Sequence, residues 1–172
     1  MKEPPFYGDW EDTLLLQFFQ PDLLKETAYI CSPLHADNPN QYLQNINAAR
    51  AYMFYTKEHM GYLARAPHAY LPLLLSDDIA EERFMALRFG AELLERSKVI
   101  LVCGNKMSPG MRGEIVQAVA LHKRILVFDE DLHYDVSKIV RSNRPLTYAA
   151  ELVCGHPVLA NPCPQIAFGA AI

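Results

Sequence analysis

Two short apolar runs, separated by one helix-length segment, constrain the fold of this chain more than any other feature. The runs are KVILVCG at 98–104 and ILVFD at 125–129, and SPGMRGEIVQAVALHKR lies between them at 108–124. Strands rich in Val, Ile and Leu without polar alternation are typical of parallel sheets, which have both faces covered by helices. The order strand, helix, strand therefore predicts a three-layer α/β fold.

The rest of the chain supplies further predicted elements. TAYIC, followed by Ser32 and Pro33, predicts a first strand, and the Asn-rich segment after it predicts an amphipathic helix ending near Gly61. APHAYLP predicts a second short strand at 66–71, closed by Pro72, and SDDIAEERFMALRFGAELLERS predicts a second helix. The apolar residues expected on the buried face of that helix are Ile79, Phe84, Leu87, Ala91 and Leu94.

The ends of these strands predict where a ligand binds. In open parallel sheets the ligand site lies beyond the carboxyl ends of the strands. We therefore expect the loops after Cys31, after the predicted 66–71 strand and after Cys103 to share one mouth.

Length and charge limit the class of protein. A chain of 172 residues is expected to form a single α/β domain, 1–172, with a recognisable core at about 28–130. A helical N-terminal extension is expected at 1–25 and a Pro-rich tail at 145–172. The net charge of −4 argues against a nucleic acid polymer as partner, and no apolar run approaches the roughly 20 residues of a membrane span.

The cysteines indicate a reducing compartment. No two of the four are spaced C-x-x-C, and Cys31 and Cys103 end apolar runs in which a reduced thiol packs as a small hydrophobe. We therefore expect a cytoplasmic protein. Cys154, His156 and Cys163 are the alternative, a metal site, but their spacing fits no standard zinc pattern, so no metal ligand is assigned.

The start of the 108–124 segment carries the most specific signal. Ser108 is a good N-cap and Pro109 suits the first helical position, so the amides around Gly110 and Met111 are expected to face the mouth and favour an anion. Side chains lean towards the N-terminus of their helix, which places Glu114 over Gly110. Either this carboxylate faces a small ligand as a nucleophile or cation stabiliser, or it is an exposed residue of a capped helix.

Three segments carry a resemblance to a known family. AYICSP at 28–33, SKVILV at 97–102 and SPGMRGEIVQA at 108–118 resemble the nucleoside 2-deoxyribosyltransferase-like superfamily. Within it, the chain is most similar to uncharacterised bacterial and phage members near the deoxynucleoside 5′-monophosphate N-glycosidases. The resemblance implies a Rossmann-like (flavodoxin-like) parallel sheet flanked by helices, and a homo-oligomer.

The resemblance also implies roles for individual residues. The signature glutamate of the superfamily, which attacks C1′ of the sugar, matches Glu114. A serine six positions earlier that contacts the 5′-phosphate matches Ser108, and a glycine four positions earlier matches Gly110. The small residue and proline that end the first strand match Ser32 and Pro33.

Two positions depart from the family pattern. The superfamily commonly has aspartate where this chain has Lys98, and its catalytic aspartate on the preceding helix aligns with Gly90. The proton donor to the leaving base is therefore unassigned.

Four further residues are candidates for that role or for ligand contact. Asp77 and Asp78 either cap the second helix or assist the leaving base. His68, at the end of the predicted second strand, either contacts the base as an acid or is structural. Arg112 lies in the first turn, where the helix dipole disfavours a cation. A contact with a phosphate group would offset this, so Arg112 is a candidate phosphate ligand.

These observations predict an N-glycosidase or 2-deoxyribosyltransferase that acts on nucleosides or nucleoside 5′-monophosphates through Glu114. The chemistry requires no metal or redox cofactor, and a retaining course through a glycosyl intermediate is expected. The alternative is a non-catalytic nucleotide-binding or sensor protein of the same fold, which the departures at Lys98 and Gly90 favour.

Overall fold

The computed structural model describes residues 26–143 and 148–153. Five strands and four helices follow in chain order: β1 Thr27–Cys31, α1 Pro39–Met60, β2 Leu63–Arg65, α2 Ala80–Arg96, β3 Val99–Val102, α3 Pro109–Ala120, β4 Arg124–Val127, α4 Glu130–Asn143 and β5 Glu151–Leu152. The predicted extension at 1–25, most of the predicted tail at 145–172 and the residues Cys154, His156 and Cys163 lie outside the described residues.

The strands form one parallel sheet in the order β2-β1-β3-β4-β5. The chain crosses from β1 outward to β2, returns to β3 on the other side of β1, and then continues in one direction. The order reverses between β1 and β3, which is the switch point at which this class of sheet binds ligands. The three-layer, Rossmann-like fold with flavodoxin-like strand order is thus confirmed.

Both faces of the sheet are buried, as the apolar strand sequences predict. Alternate residues of β1 point to opposite faces. Tyr29 and Cys31 pack on the side of α2, α3 and α4, whereas Ala28 and Ile30 pack on the side of α1. All four residues of β3 are buried. The central strands are therefore packed on both faces of the sheet, which holds the loops at their carboxyl ends in place.

Helix α1 follows its predicted course. Asn38 caps it by accepting a hydrogen bond from the Asn40 N–H, and Gly61 ends it in the left-handed conformation, with φ of 73°. Ile46, Ala49 and Tyr52 are buried against the sheet. The helix belongs to the layer opposite α2 and α3.

The predicted second strand at 66–71 is wrong. The second strand is Leu63–Arg65, and the segment after it forms two short 3₁₀ helices, Pro67–Ala69 and Leu71–Leu73. Each begins with a proline in its first two positions, where the fixed φ and missing N–H suit a helical turn better than a strand ladder. This difference places His68 in a turn at the mouth.

The buried face predicted for α2 is wrong in part. Leu94 and Gly90 are buried, but Phe84 is 61% exposed and Leu87 is 64% exposed. The helix also begins at Ala80, after Asp77 and Asp78, and its N-cap residue Ile79 makes no side-chain cap hydrogen bond. The helical period was correct, but nothing among the described residues covers its outer half.

Two elements near the end of the described chain have weaker signals in the sequence. The sequence analysis predicts neither helix α4, Glu130–Asn143, nor the two-residue strand β5. Arg124 holds β5 to β4 through an ion pair with Glu151 at 2.7 Å. No helix in the described ranges is both long and apolar enough to cross a membrane.

Candidate active site

A cavity of about 640 Å³ lies where α2 and α3 face each other at the switch point. Its wall also includes residues of β1 and of the turns between Pro67 and Leu75. A volume of this size is typical of small-molecule sites. The lining residues that matter below are Tyr29, Ser32, His68, Leu71, Pro72, Leu75, Asp77, Ala86, Leu87, Gly90, Ala91, Ser108, Gly110, Met111 and Glu114.

Three polar side chains converge on one side of this cavity. The Tyr29 hydroxyl donates a hydrogen bond of 2.9 Å to Glu114 Oε1. His68 Nε2 lies 3.5 Å from the same oxygen, and the side chains of His68 and Glu114 are 20% and 21% exposed. Residues from a strand, a turn and a helix thus place one carboxylate beside an imidazole. Such a set can hold a carboxylate nucleophile and move a proton.

Two polar atoms at the cavity wall have no hydrogen-bond partner within the described part of the chain. These are Glu114 Oε2 and Ser32 Oγ, and Ser32 is 2% exposed. Buried polar groups are nearly always hydrogen-bonded, because an unpaired one loses its hydration without compensation. Both oxygens also have almost no accessible surface, so neither is open to the cavity, and Oε1 is the Glu114 oxygen that lies beside the imidazole.

The amino end of α3 forms a second polar part of the wall. Ser108 Oγ caps the helix by accepting a hydrogen bond of 3.2 Å from the Met111 N–H. The Gly110 N–H has no acceptor among the described residues. It lies at the amino end of the helix, where the helix dipole favours an anion. The Met111 side chain belongs to the core, so only the backbone of that residue belongs to the site. The Ser108 hydroxyl proton remains free to be donated.

Burial raises the pKa of Tyr29 well above its usual range, and the neighbouring Glu114 carboxylate raises it further. Burial also raises the pKa of the Cys31 thiol, with Glu114 as the next contribution. Both groups therefore stay neutral near pH 7. Tyr29 is a hydrogen-bond donor to the carboxylate rather than an acid or base.

Gly90 explains how these groups fit together. It lies on α2 at the cavity wall, and a Cβ atom at this position would lie 3.5 Å from the Tyr29 hydroxyl and 3.8 Å from Pro67 Cγ. Both are ordinary van der Waals distances, so alanine would fit, whereas a longer side chain would occupy part of the cavity. The absence of a side chain at position 90 thus leaves cavity space beside the Tyr29–Glu114 hydrogen bond.

The structure brings most of the predicted site residues to this cavity. Glu114, Ser108, Gly110, Met111, Ser32, His68 and Asp77 all line it. Asp78 lines only a more open neighbouring groove ahead of α2. Arg112 is exposed and does not line the cavity. Neither residue belongs to the cavity wall.

Two other predicted positions lie apart from the cavity for clear reasons. The ring of Pro33 packs on Gly104, where φ is 108° and a Cβ atom would lie only 2.9 Å from Pro33 Cδ, so only glycine fits. Pro33 therefore fixes the loops after β1 and β3 without lining the cavity. Lys98 precedes β3 at the amino end of the sheet, away from the mouth, so its departure from the family pattern does not change the site.

Sequence reasoning missed Tyr29, although a signal was available: a tyrosine inside a buried strand needs a partner for its hydroxyl. On α2, the family resemblance indicated only Gly90 as a site position, and Ala86 gave no signal because alanine is typical of any helix. No group of three His, Cys, Asp or Glu residues in 26–143 and 148–153 is arranged to hold a metal ion.

The fold and cavity define a class: a flavodoxin-like α/β protein with a carboxylate site at its switch point. The chain belongs to the family described as domain of unknown function DUF7768, whose model matches residues 26–128.

Two further comparisons with known proteins add little to this family assignment. A search of curated proteins gives no match. The chain is similar to a solved 2-deoxyribosyltransferase from the psychrotolerant bacterium Bacillus psychrosaccharolyticus, described as a biocatalyst for synthesis of antiviral and antitumoral nucleosides. Identity is 13%, the TM-score is 0.49, and the match covers 70% of this chain and 93% of that chain. A likeness at this level identifies neither a ligand nor an activity.

Proposed function

We propose that this protein cleaves the N-glycosidic bond of nucleoside 5′-monophosphates or nucleosides, as an N-glycosidase or a 2-deoxyribosyltransferase. The observation that carries the proposal is the Glu114 carboxylate. The side chain lines a ligand-sized cavity, and its Oε1 accepts a hydrogen bond from Tyr29 and lies 3.5 Å from His68 Nε2. Glu114 is thus held in place at the cavity wall beside a group that can move a proton, as the proposed chemistry requires.

The proposed reaction has two steps. A carboxylate oxygen of Glu114 forms a bond to C1′ of the sugar while the bond from C1′ to the base nitrogen breaks, and the base leaves with a proton from His68. Water or a second base then attacks C1′ and gives a proton back to His68, while the bond to Glu114 breaks and the carboxylate returns. Two inversions at C1′ give retention of configuration. The Tyr29 hydrogen bond keeps the carboxylate oriented in both steps.

His68 is the proposed proton donor to the leaving base. The imidazole lies at the cavity wall beside Glu114, and α2 offers no carboxylate there because its facing residue is Gly90. Histidine is suited to proton transfer near neutral pH. Asp77, further out on the wall, is the other carboxylate within reach of a leaving group.

The amino end of α3 is the proposed phosphate site. The Ser108 hydroxyl and the Gly110 N–H supply donors, and the helix dipole favours a dianion. This arrangement supports a phosphorylated substrate over a free nucleoside. No metal or redox cofactor takes part in the proposed steps.

Base release from the four deoxynucleoside 5′-monophosphates and their nucleosides tests the proposal. Chromatography should detect free base with the wild-type protein, and Glu114→Gln should reduce the rate at least about 1,000-fold, because the nucleophile is lost. The matched control is Glu92→Gln, an exposed carboxylate on α2 that pairs with Arg88. Equal rates in wild type and Glu114→Gln, or no release by either, would remove the enzymatic proposal.

One observation favours a second function, nucleotide binding without turnover. Gly90 leaves α2 without the carboxylate that the family resemblance implies for catalysis. On this alternative the cavity binds a nucleotide and signals its presence. Deoxynucleotides should then raise the melting temperature, because they bind only the folded state, while no base appears over hours of incubation. Absence of any thermal shift at millimolar nucleotide would exclude this version.

We also propose that the protein is a cytoplasmic homo-oligomer built from a single domain, 1–172. The outer side of α2 exposes Phe84, Met85 and Phe89, an apolar stripe that a second copy would cover. The buried thiols of Cys31 and Cys103 suit a reducing compartment. Sedimentation of wild type and Phe84→Glu is the test of assembly: the variant should be smaller, and an unchanged monomer in both would refute it.

A further inference from the structure

The two oxygens of the Glu114 carboxylate have different surroundings. Oε1 accepts the hydrogen bond from the Tyr29 hydroxyl and lies 3.5 Å from Nε2 of His68, a residue that lines the cavity. Oε2 has almost no accessible surface and no hydrogen-bond partner within the described residues. An unpaired carboxylate oxygen away from water is costly, because the charge loses its hydration without compensation. We therefore expect a donor for Oε2 among the buried side chains.

Strand β1 supplies a buried donor close to this oxygen. Tyr29 and Cys31 are alternate residues of β1, so they point to the same face of the sheet, which packs on α3. The Cys31 thiol reaches the first turn of α3, where its Sγ lies 3.9 Å from the Met111 carbonyl oxygen. Glu114 follows Met111 by three positions, and its side chain leans back towards that turn. The thiol and the carboxylate are thus neighbours at the start of α3.

The Met111 carbonyl is a poor partner for the thiol. Its oxygen is already an acceptor within a regular helix, and 3.9 Å is a long contact even for sulfur. The Glu114 carboxylate is the stronger acceptor, because it carries a charge. Burial raises the pKa of the Cys31 thiol, and the nearby Glu114 carboxylate raises it further. The thiol therefore keeps its proton near pH 7 and has it available to donate.

We propose that the Cys31 thiol donates a hydrogen bond to Glu114 Oε2 and, together with the Tyr29 hydroxyl, fixes the orientation of the carboxylate. Two residues of one strand then hold both oxygens, one donor to each. Cys31 is a positioning residue, because it is fully buried and does not line the cavity. Its effect on base release rests on the proposed function, whereas the hydrogen bond itself does not.

Infrared spectroscopy tests the hydrogen bond without any substrate. The S–H stretching band lies in a region free of other protein bands and moves to lower frequency when the thiol donates to a strong acceptor. The difference spectrum between each protein and its own Cys31→Ala derivative isolates the band of Cys31. Glu114→Gln should move this band to higher frequency, because the acceptor loses its charge. Glu92→Gln, at an exposed carboxylate on α2, is the control and should leave it unchanged.

Rates of base release test the positioning role. Cys31→Ala should lower kcat about tenfold with little change in KM, the low end for a hydrogen bond to a charged group, because a thiol is a weak donor. Cys31→Ser keeps a donor and should be faster than Cys31→Ala. A purely structural cysteine predicts the reverse order, because an unpaired buried hydroxyl destabilises more than a methyl group.

The matched control for these rates is Cys103→Ala. Cys103 is also fully buried and follows β3, but it packs on the opposite face of the sheet. Its replacement removes the same volume from the core without touching the Glu114 carboxylate. We expect kcat of Cys103→Ala to equal that of wild type.

The outcomes separate this inference from the proposed function. A band shift in Glu114→Gln, with Cys31→Ser faster than Cys31→Ala, supports the hydrogen bond and its role. A band shift without base release by wild type keeps the hydrogen bond and removes the glycosidase. Base release with the same band in wild type and Glu114→Gln keeps the glycosidase and overturns the hydrogen bond. Equal rates in Cys31→Ala and Cys103→Ala, or Cys31→Ser slower than Cys31→Ala, overturn the positioning role.

Discussion

The two helices that enclose the cavity differ in how they are held. Helix α3 buries four of its 12 residues and has the Ser108 side-chain cap, whereas α2 buries two of 17 and has no such cap. The carboxylate that the proposed chemistry requires lies on α3, and α2 contributes mainly small and apolar wall residues, with Arg83. The chemical group is thus placed by the core, whereas the facing wall belongs to a loosely packed helix.

The largest expected effect is a difference in stability between a variant at a buried residue of α3 and one at an exposed residue of α2. Ile115→Ala on α3 should lower the free energy of unfolding by about 2–5 kcal/mol, because it opens a cavity at a fully buried position. Phe84→Ala on α2 should cost less than about 1 kcal/mol, since that ring is mostly exposed. Urea unfolding at low protein concentration measures both. Equal costs at a concentration where the protein is monomeric would break the comparison.

The second prediction concerns the link between β1 and α3. Tyr29→Phe removes the donor to Glu114 Oε1 and should slow base release about 10- to 100-fold, from the loss of one hydrogen bond to a charged group.

His68→Asn should slow the reaction of substrates with poor leaving bases more than that of substrates with activated ones, because a proton donor matters most for poor leaving bases. Steady-state rates on both substrate types measure this. An identical slowing of every substrate by His68→Asn would contradict its role as an acid.

Alkaline pH should lower the free energy of unfolding through two residues of β1 that pack on the side of α3. The pKa values of Tyr29 and Cys31 are raised in the folded protein, mainly by burial, so folding favours their protonated forms. The stability they supply is complete below the unfolded pKa values, about 8.5 for Cys and 10 for Tyr, and is lost as pH rises above them. The slope approaches about 1.4 kcal/mol per pH unit for each group. Tyr29→Phe should show a shallower decline above pH 10 in urea unfolding, and an unchanged slope would contradict the assignment.

The smallest expected effect compares the two helix starts. Ser108→Ala removes the cap of α3 and should cost about 1 kcal/mol of stability. Ahead of α2, the Ser76 N–H donates a hydrogen bond to Glu82 Oε2, and Glu82→Gln weakens this bond. The loss of stability should be smaller than for Ser108→Ala, because α2 contributes little to the core. Thermal melts of both variants measure the difference. A larger loss for Glu82→Gln would reverse the ranking of the helices.

Local signals in the sequence were sufficient for the elements that carry the site. The apolar runs predicted β3 and β4, and Ser108 followed by Pro109 predicted the start of α3 correctly. These elements are determined by short-range properties: strand burial on both faces and a side-chain cap. The position of Glu114 in its helix followed from the same cap.

Features that depend on distant residues were not predictable. The Tyr29–Glu114 bond joins positions 85 residues apart, and only the strand order brings them together. The period of α2 predicts an apolar face but not whether another element covers it, which is why Phe84 and Leu87 were placed wrongly. APHAYLP resembles a strand in composition, but two prolines turned it into 3₁₀ helices.

The most direct test of the central claim is to detect the glycosyl intermediate on the protein. Wild-type protein is mixed with a deoxynucleoside 5′-monophosphate, quenched in acid within its first turnovers and digested for mass spectrometry. We expect a peptide containing Glu114 that is heavier by one deoxyribosyl phosphate, and no such peptide from Glu114→Gln. Base release with the added mass on another residue, or with no added mass at any quench time, would contradict it.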